Sequence, residues 1–505
     1  MAEDGRRKTA TPAKDAPSVY ADASRAPDFP SPATAAPSVT SLSSVFRLLS
    51  SVLSPGQRII ALAWPVFVAQ IASIGMTVVD TLIVGRHSTT HLAAVAVGGS
   101  LYITLMLGMS GVLMALGPII GQHYGAGRAD DIGADIREGF WLAFILAVIG
   151  MALLAFPRLL LAPARLAPEI ETIAVDYLRL LALSLPALLG FRVFQAAANA
   201  LGFPAPLMYI GLLETLAHTA IAWALVGGHG GSPVLGASGA ALSQLLVNWM
   251  SLFCALYLLA RHRRFLPFAI FARFTLPRWT EQRALLRLGI PMGGSYLVEV
   301  SAFTLMALFI ARLGAEAVSA YRVAANISAV TYILPLSLAT ATAALTAQAI
   351  GARDKALAWR TICAGQLVGV LAALVVATLL YSLRFHIARL SNPNAQVAMM
   401  AAGMMIYIAS YQFFDAIQTI AAFALRAGKI SFAPLCIHLC CFWGLGLGLG
   451  YWLAFYAPEP QGIAGFWQAL VIATIAAALL LGSLLIIVTR EWKTNAGRAP
   501  SSADP

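Results

Sequence analysis

The chain has 505 residues, of which 59% are hydrophobic and only 11% are charged. A soluble domain carries about 25% charged residues, so this composition excludes an ordinary soluble protein and indicates an all-α polytopic membrane protein. The five cysteines are odd in number and lack paired spacing, which excludes a disulfide framework and a cysteine metal site.

The first segment, residues 1–56, is rich in Ala, Pro, Ser and Thr and is predicted to be a disordered tail. Arg6, Arg7 and Lys8 are not followed by an apolar h-region, so the pattern does not predict a cleavable signal peptide. We therefore expect the first spanning helix to direct insertion into the membrane.

Twelve apolar runs follow, each long enough for a spanning helix, which needs about 20 residues. They cover residues 58–84, 92–120, 138–157, 172–198, 206–226, 235–260, 284–311, 317–349, 361–384, 398–425, 432–456 and 463–489. The predicted domains are a six-helix bundle at 57–260, a basic linker at 261–283, a second six-helix bundle at 284–489 and a tail at 490–505.

The basic residues are distributed unevenly between the two sides of these helices. Of the 33 Lys and Arg residues, 24 lie in the tails and the loops on their side, and 6 lie in the opposite loops. Because cytoplasmic loops carry the excess of basic residues, both termini are predicted to be cytoplasmic, in a bacterial inner membrane. This asymmetry also accounts for the net charge of +11, so a nucleic-acid partner is not expected.

The two halves of the chain match each other without a gap when shifted by 226 residues. The matching pairs include Pro65 with Pro291, Arg86 with Arg312, Gln122 with Gln348 and Gly125 with Gly351. Since the shift contains six helices, the halves are predicted to have the same orientation, related by a pseudo-twofold axis along the membrane normal. Substrate sites in such transporters lie between the halves.

Three of the acidic residues within the apolar runs, Glu299, Asp415 and Asp80, are the main candidates for ion coupling. A charge at the bilayer centre costs roughly 2.5 to 3.5 kcal/mol, so an acid there is a functional candidate by default. Glu299 and Asp415 are predicted at membrane depth, whereas Asp80 lies near the end of the first run and closer to water. The alternative for Glu299 is a neutral carboxyl group that bonds to a backbone carbonyl.

Two further pairs of polar residues are candidates. Glu214 and His218 are four residues apart on one helical face. They form either a satisfied polar pair or a proton relay. Arg322 in the eighth run and Glu299 in the seventh differ in depth by roughly 9 Å, much of which an arginine side chain can span. An ion pair between them is one hypothesis, and the alternative is that Arg322 snorkels at the outer mouth.

The order of several motifs resembles the multidrug and toxic compound extrusion (MATE) family, in its NorM branch. The motifs are Trp64-Pro65, Val79-Asp80-Thr81, Gly117-Pro118, Tyr124-Gly125-Ala126-Gly127, Leu286-Arg287-Leu288-Gly289-Ile290-Pro291 and Leu425-Arg426. The chain departs from the family pattern at Glu214 to His218, where Asn is usual, and at Tyr321-Arg322, where His-Gln is common.

The resemblance implies a secondary antiporter of two six-helix bundles that exports cationic lipophilic drugs as a monomer among membrane lipids. It implies that Glu299, Asp415 and Asp80 couple transport to H⁺, or to Na⁺ bound at Glu299 and Asp415, without a cofactor. The cavity residues on this interpretation are Tyr411, Arg322, Glu214 and His218.

Two rival functions are weaker. A flippase for a lipid-linked precursor would need a cationic cavity, for which Arg192 and Arg322 are the support. A membrane-embedded enzyme would need a catalytic pair, but no acid pair in a predicted cytoplasmic loop has suitable spacing.

Overall fold

The computed structural model describes residues 41–272, 275–391 and 394–496. Within these residues the regular secondary structure is helical throughout. Eleven continuous helices are long and apolar enough to cross a membrane, and a bent pair supplies a twelfth span. The prediction of an all-α chain with twelve spans is therefore confirmed.

The twelve spans are numbered in chain order. The first half contains α1 (Ser41–His87), α2 (Thr89–Gly125), α3 (Ala129–Ala155), α4 (Pro168–Ala182 and Leu185–Ala200), α5 (Ala205–Gly227) and α6 (Ala237–Arg261). The second half contains α7 (Trp279–Leu313), α8 (Ala315–Gly351), α9 (Lys355–Ser391), α10 (Ala395–Ala427), α11 (Phe432–Phe455) and α12 (Ile463–Ala496).

Helix α1 begins earlier than the sequence predicted. Of the predicted tail at 1–56, residues 1–40 lie outside the described part of the chain, whereas residues 41–56 are helical. The expectation of disorder is therefore wrong for 41–56. Composition alone missed that apolar residues recur there at the three- and four-residue spacing of a helix, at Leu42, Val45, Phe46, Leu49 and Val52.

Helix α4 is bent by 47° between Ala182 and Leu185. Pro186 lies in the first turn of the second segment, and its ring nitrogen cannot donate a hydrogen bond to the preceding turn. The hydroxyl of Ser184 at the break donates to Leu181 O at 2.7 Å. The predicted fourth span at 172–198 is therefore broken rather than continuous.

Each half packs around its own apolar core. One core is built from α2 to α6 and the start of α7, with Leu113, Leu185 and Phe194 completely or almost completely buried. The other is built from α7 to α12, with Phe466 and Trp467 completely buried. The start of α7 belongs to the first core, so the division of the cores does not coincide with the predicted domain boundary at residue 284.

The halves are joined at the end of the bundle where α2, α4, α6, α8 and α10 terminate, which we call the linker end. There Gln122 of α2 donates to Ala427 O of α10 at 2.8 Å. In the opposite sense, Gln348 of α8 donates to Ala200 O of α4 at 2.7 Å. The two glutamines are a matching pair of the 226-residue repeat, so each half closes on the other through the same side chain.

Two glycines allow the backbones of α2 and α8 to meet at this end. A Cβ atom at Gly125 would overlap the carbonyl oxygen of Gln348, and one at Gly351 would overlap that of Gln122. No other residue type fits such an approach without displacing the helices. Gly125 and Gly351 are also partners in the repeat, so its pseudo-twofold relation is visible in the packing.

The start of α7 is fixed to the first half by Glu138 of α3. This carboxylate is buried and accepts hydrogen bonds from the backbone N–H of Arg278 at 3.1 Å and from Gln282 Nε2 at 2.7 Å. Trp141, one turn along α3, donates to Thr275 O at 2.9 Å. The entry to the second half is therefore tied to α3 of the first.

Candidate functional site

Asp415 of α10 is the most buried of the three predicted acids. None of its surface is exposed. Its Oδ1 atom accepts a hydrogen bond from Gln418 Nε2 at 2.9 Å. Its Oδ2 atom has no hydrogen-bond partner in the described part of the chain. Since a buried carboxylate oxygen without a donor is costly, this atom is suited to bind a proton or a cation.

Gln418 extends the site towards α11. Its Oε1 atom lies 3.0 Å from Nε2 of His438, which is itself buried. This chain of side chains links Asp415 on α10 to α11 through one amide. Sequence pattern alone does not identify Gln418 and His438 as site residues. They are separated by 20 residues, and neither belongs to a spaced motif.

Glu299 of α7 is half-buried and lies close enough to Asp415 and Arg426 to interact with the charges of both. Trp443 of α11 donates through its indole to Val298 O at 3.2 Å, next to Glu299 in the chain. Glu299 and Asp415 therefore lie within electrostatic range of each other, and their role in ion coupling stays a prediction.

Tyr411 lies one turn before Asp415 and is almost completely buried. Its ring packs edge-to-face against Phe303 at 6.1 Å and Trp467 at 6.4 Å between centroids. Tyr411 also interacts with the Asp415 carboxylate, so this aromatic cluster lies directly beside the acid, although no bond of good geometry reaches Oδ2 in the described residues.

Arg426 is a charged component of this site that sequence reasoning missed. It lies in the last turn of α10 and is only 4% exposed. Its guanidinium group stacks over Phe423 at 4.9 Å, while Nε and Nη1 have no hydrogen-bond partner among the described residues. In the sequence Arg426 stands out only as part of the Leu425-Arg426 motif, since a basic residue at the end of an apolar run is normally exposed.

Arg322 does not provide the predicted counter-ion. Its side chain is exposed, and no ion pair with Glu299 is present in the described residues. The neighbouring Tyr321 is buried and donates to Phe303 O at 2.8 Å, so the next position along the helix points away from α7. The predicted Arg322–Glu299 ion pair is therefore wrong, and Arg426 is the cation that acts on Glu299.

The first half contains a second site around Asp80 of α1. Asp80 Oδ1 lies 2.8 Å from Nε2 of His218 on α5, whose Nδ1 lies 3.0 Å from Ser243 Oγ on α6. The His218 side chain is completely buried, whereas that of Asp80 is 16% exposed. Asp80 is therefore more exposed than Asp415, while its depth in the membrane stays a prediction.

Glu214 and His218 lie on one face of α5 but do not bond each other. Glu214 Oε1 accepts from Ser251 Oγ of α6 at 2.5 Å, while His218 bonds to Asp80 and Ser243. The prediction of a mutual pair is wrong because both side chains find partners on neighbouring helices. The relay interpretation of His218 stays open, with Asp80 as its acidic partner.

Comparison with family models places the chain in one family along most of its length. The model described as MatE matches residues 65–224 and 291–452. The two matched segments begin 226 residues apart, which is the shift of the internal repeat.

Named relatives align over nearly their whole length. A probable multidrug resistance protein NorM of Aromatoleum aromaticum is 46% identical over 432 residues, which is 85% of this chain and 93% of the relative. The multidrug resistance protein NorM of Vibrio vulnificus is 32% identical over 436 residues, 86% of this chain and 96% of the relative.

Solved structures show the same fold at low sequence identity. The eukaryotic MATE transporter AtDTX14 has a TM-score of 0.79 at 18% identity, covering 88% of this chain and all of that protein. A multidrug resistance MATE transporter in an outward-facing conformation has a TM-score of 0.80 at 18% identity, covering 87% of this chain and 97% of its own.

Proposed function

The chain belongs to the multidrug and toxic compound extrusion family of transporters, and on that premise we propose that it exports cationic lipophilic compounds in exchange for H⁺ or Na⁺. Membership supports a transporter rather than a membrane-embedded enzyme, and the names of the relatives do not favour the flippase alternative. The observation that carries the proposed exchange is the unpartnered Asp415 Oδ2 next to Glu299.

Two neighbouring carboxyl groups provide a physical basis for the exchange. When the site holds no cation, a bound proton reduces the repulsion between the two carboxylates. A cationic compound or a Na⁺ ion that enters the site favours the ionised acids and displaces the proton. Drug and coupling ion therefore compete for the same negative charge, which is the requirement for antiport.

Arg426 sets the charge balance of the site. With Glu299 and Asp415 both ionised, the guanidinium group neutralises one of the two negative charges. The site then retains one net negative charge for one monovalent cation. We propose Arg426 as an internal counter-ion that limits the number of cations bound at a time.

The closed linker end supports a transport cycle by alternating access. The excess of basic loops at this end supports a cytoplasmic location for it in the inner membrane, with both termini on the same side. The conformation is then closed towards the cytoplasm, and opening would break the bonds of Gln122 and Gln348. The separate cores of the halves support rocking of one bundle against the other within a single chain, so we propose a functional monomer in contact with lipid.

A growth assay tests the proposed export most simply. We expect cells that express the chain to grow at ethidium concentrations that arrest cells carrying the empty vector. Fluorescence should show a lower steady-state ethidium content in the expressing cells. Equal growth and equal ethidium content in both strains would reject drug export for this compound.

The coupling ion can be tested with purified protein in proteoliposomes. We propose H⁺, because Arg426 already supplies one fixed positive charge beside Glu299 and Asp415. An imposed pH gradient should then drive ethidium transport without Na⁺. Transport that follows a Na⁺ gradient at constant pH, and ignores the pH gradient, would instead assign Na⁺.

Replacement of Asp80 by Asn should reduce export less than replacement of the acids in the second half. The amide of Asn can still form a hydrogen bond to His218, but this bond is weaker because the carboxylate charge is absent. We therefore expect the efflux rate to fall by about two- to tenfold. The matched control is Asp176→Asn, since Asp176 is exposed and pairs with Arg179 at 3.9 Å. If Asp80→Asn and the control export alike, Asp80 has no part in transport.

A further inference from the structure

A chain of hydrogen bonds with a defined direction runs from α11 to Asp415 of α10. His438 Nε2 lies 3.0 Å from Gln418 Oε1. The Gln418 Nε2 atom lies 2.9 Å from Asp415 Oδ1 and 3.2 Å from Thr419 Oγ1. An amide nitrogen carries two protons, so these two acceptors use both donors of Gln418. Its carbonyl oxygen is left to accept a hydrogen bond from His438.

The protonation state of His438 follows from its surroundings. The side chain is buried, and its Nδ1 atom has no hydrogen-bond partner in the described part of the chain. A proton on Nδ1 would be a buried donor without an acceptor, which is costly, whereas a proton on Nε2 is used by Gln418. His438 is therefore a neutral imidazole that donates through Nε2.

This chain determines which oxygen of Asp415 is free. If the Gln418 amide were reversed, its nitrogen would meet the N–H group of His438, and its oxygen would meet the carboxylate. Both ends would then face a group of the same kind, so the observed direction is preferred. Oδ1 keeps its donor, and Oδ2, which has no partner among the described residues, is left to bind a proton or a cation.

The fold of a six-helix bundle does not require this chain. The positions that match Gln418 and His438 in the first half are Arg192 and Leu212. Arginine has no acceptor and leucine has no polar side-chain atom, so the first half folds without an equivalent chain. The chain is therefore a feature of the half that contains Glu299 and Asp415.

We propose that His438 is a positioning residue for ion coupling, which holds the Gln418 amide so that Asp415 exchanges its proton for a cation at Oδ2. This inference rests on the proposed function and adds a residue to it. Without the N–H group of His438, the amide can reverse when Asp415 is protonated at Oδ1, and its oxygen accepts a hydrogen bond from the new hydroxyl. The protonated acid is then stabilised, so a cation displaces the proton only at higher pH.

The test measures ethidium binding to the purified protein by fluorescence at a series of pH values. The wild type is compared with His438→Phe and His438→Gln. Phe removes the donor but keeps a ring to pack against Phe442, which lies edge-to-face with His438 at 5.8 Å between centroids. Gln keeps a donor at the position of Nε2 and cannot titrate. Because ethidium is a permanent cation, the pH at which its affinity falls by half reports on the protein.

We expect His438→Phe to raise this pH by about one unit, the value of one hydrogen bond to a charged group, and His438→Gln to keep the wild-type value. The control His386→Phe replaces an exposed histidine of α9 and should also keep it. The other ionisable groups around Asp415 and His438 are the same in all four proteins, so a shift can be assigned to the chain. They are Glu299 of α7, Tyr332 of α8, and Tyr411 and Arg426 of α10.

Each other outcome has a distinct meaning. An unchanged pH profile in His438→Phe, or a uniform loss of affinity without a shift, would overturn the positioning role. Equal shifts in His438→Phe and His438→Gln would also overturn it, since the imidazole would then carry the proton itself. A wild type that binds no ethidium at any pH would instead reject the proposed function for this compound.

Discussion

Replacement of Glu299 by Gln, or of Asp415 by Asn, is expected to abolish ethidium export while the protein still inserts into the membrane. Each amide keeps the volume of the side chain and removes its ability to carry and release a charge. The loss should be about tenfold or more, since the bound cation loses an ionic partner in a dry site. Efflux from ethidium-loaded cells, normalised to the amount of protein in the membrane, measures it.

Glu316→Gln is the matched control, because Glu316 is an exposed acid in the first turn of α8. It should export at the wild-type rate. Asp415→Asn carries an additional consequence, since Gln418 can reorient its amide towards the new group and leave His438 without its partner. Wild-type efflux in either variant would remove that acid from the mechanism.

Replacement of Gly125 or Gly351 by Ala should have an effect of similar size for a different reason. The new methyl group would overlap a backbone oxygen of the facing helix, at Gln348 or Gln122, and backbone cannot move aside as a flexible side chain can. The linker end could then not close fully, and export should fall by about tenfold or more as the cycle loses its closed state. Ethidium efflux at matched protein levels is the measurement.

Gly117→Ala provides the control within the same helix. A Cβ atom at Gly117 meets no other atom within 4 Å, so this variant should export like the wild type. Equal efflux from Gly125→Ala and Gly117→Ala would show that the close approach of α2 and α8 is not needed for transport. Equal losses of efflux in Gly125→Ala and Gly351→Ala would support the same structural role for these two equivalent positions of the repeat.

The sequence predicted the fold because the fold depends on repeated local signals. Apolar runs predicted the spans, and the 226-residue shift aligned Gln122 with Gln348, which make equivalent bonds to the opposite halves in the structure. The bend in α4 was missed, although Pro186 was visible, because a proline in an apolar run bends some helices and is tolerated in others.

The site was predicted only in part because its residues do not obey the repeat. The positions that match Glu299 and Asp415 in the first half are Ser73 and Leu189, so the repeat carries no information about the acids. They were found because ionisable residues are rare inside apolar runs. The hypothesis that Arg322 is the counter-ion of Glu299 is wrong. The depth of a residue along a helix follows from its position in the sequence, but the direction of its side chain does not.

The same limit explains the first half. The four-residue spacing offers Glu214 as one possible partner of His218, whereas the acidic partner in the structure is Asp80, 138 residues away. Local spacing cannot reveal a bond of that sequence separation. The residues that complete both sites, among them Gln418 and Ser243, are ordinary polar residues whose importance comes only from what they contact.

The central claim is that Glu299 and Asp415 couple ion movement to drug movement. Its most direct test is ethidium transport in proteoliposomes under an imposed pH gradient, with the wild type compared with the double variant Glu299→Gln, Asp415→Asn. We expect gradient-driven ethidium accumulation in the wild type and none above protein-free liposomes in the double variant. Gradient-driven accumulation by the double variant at the wild-type rate would contradict it.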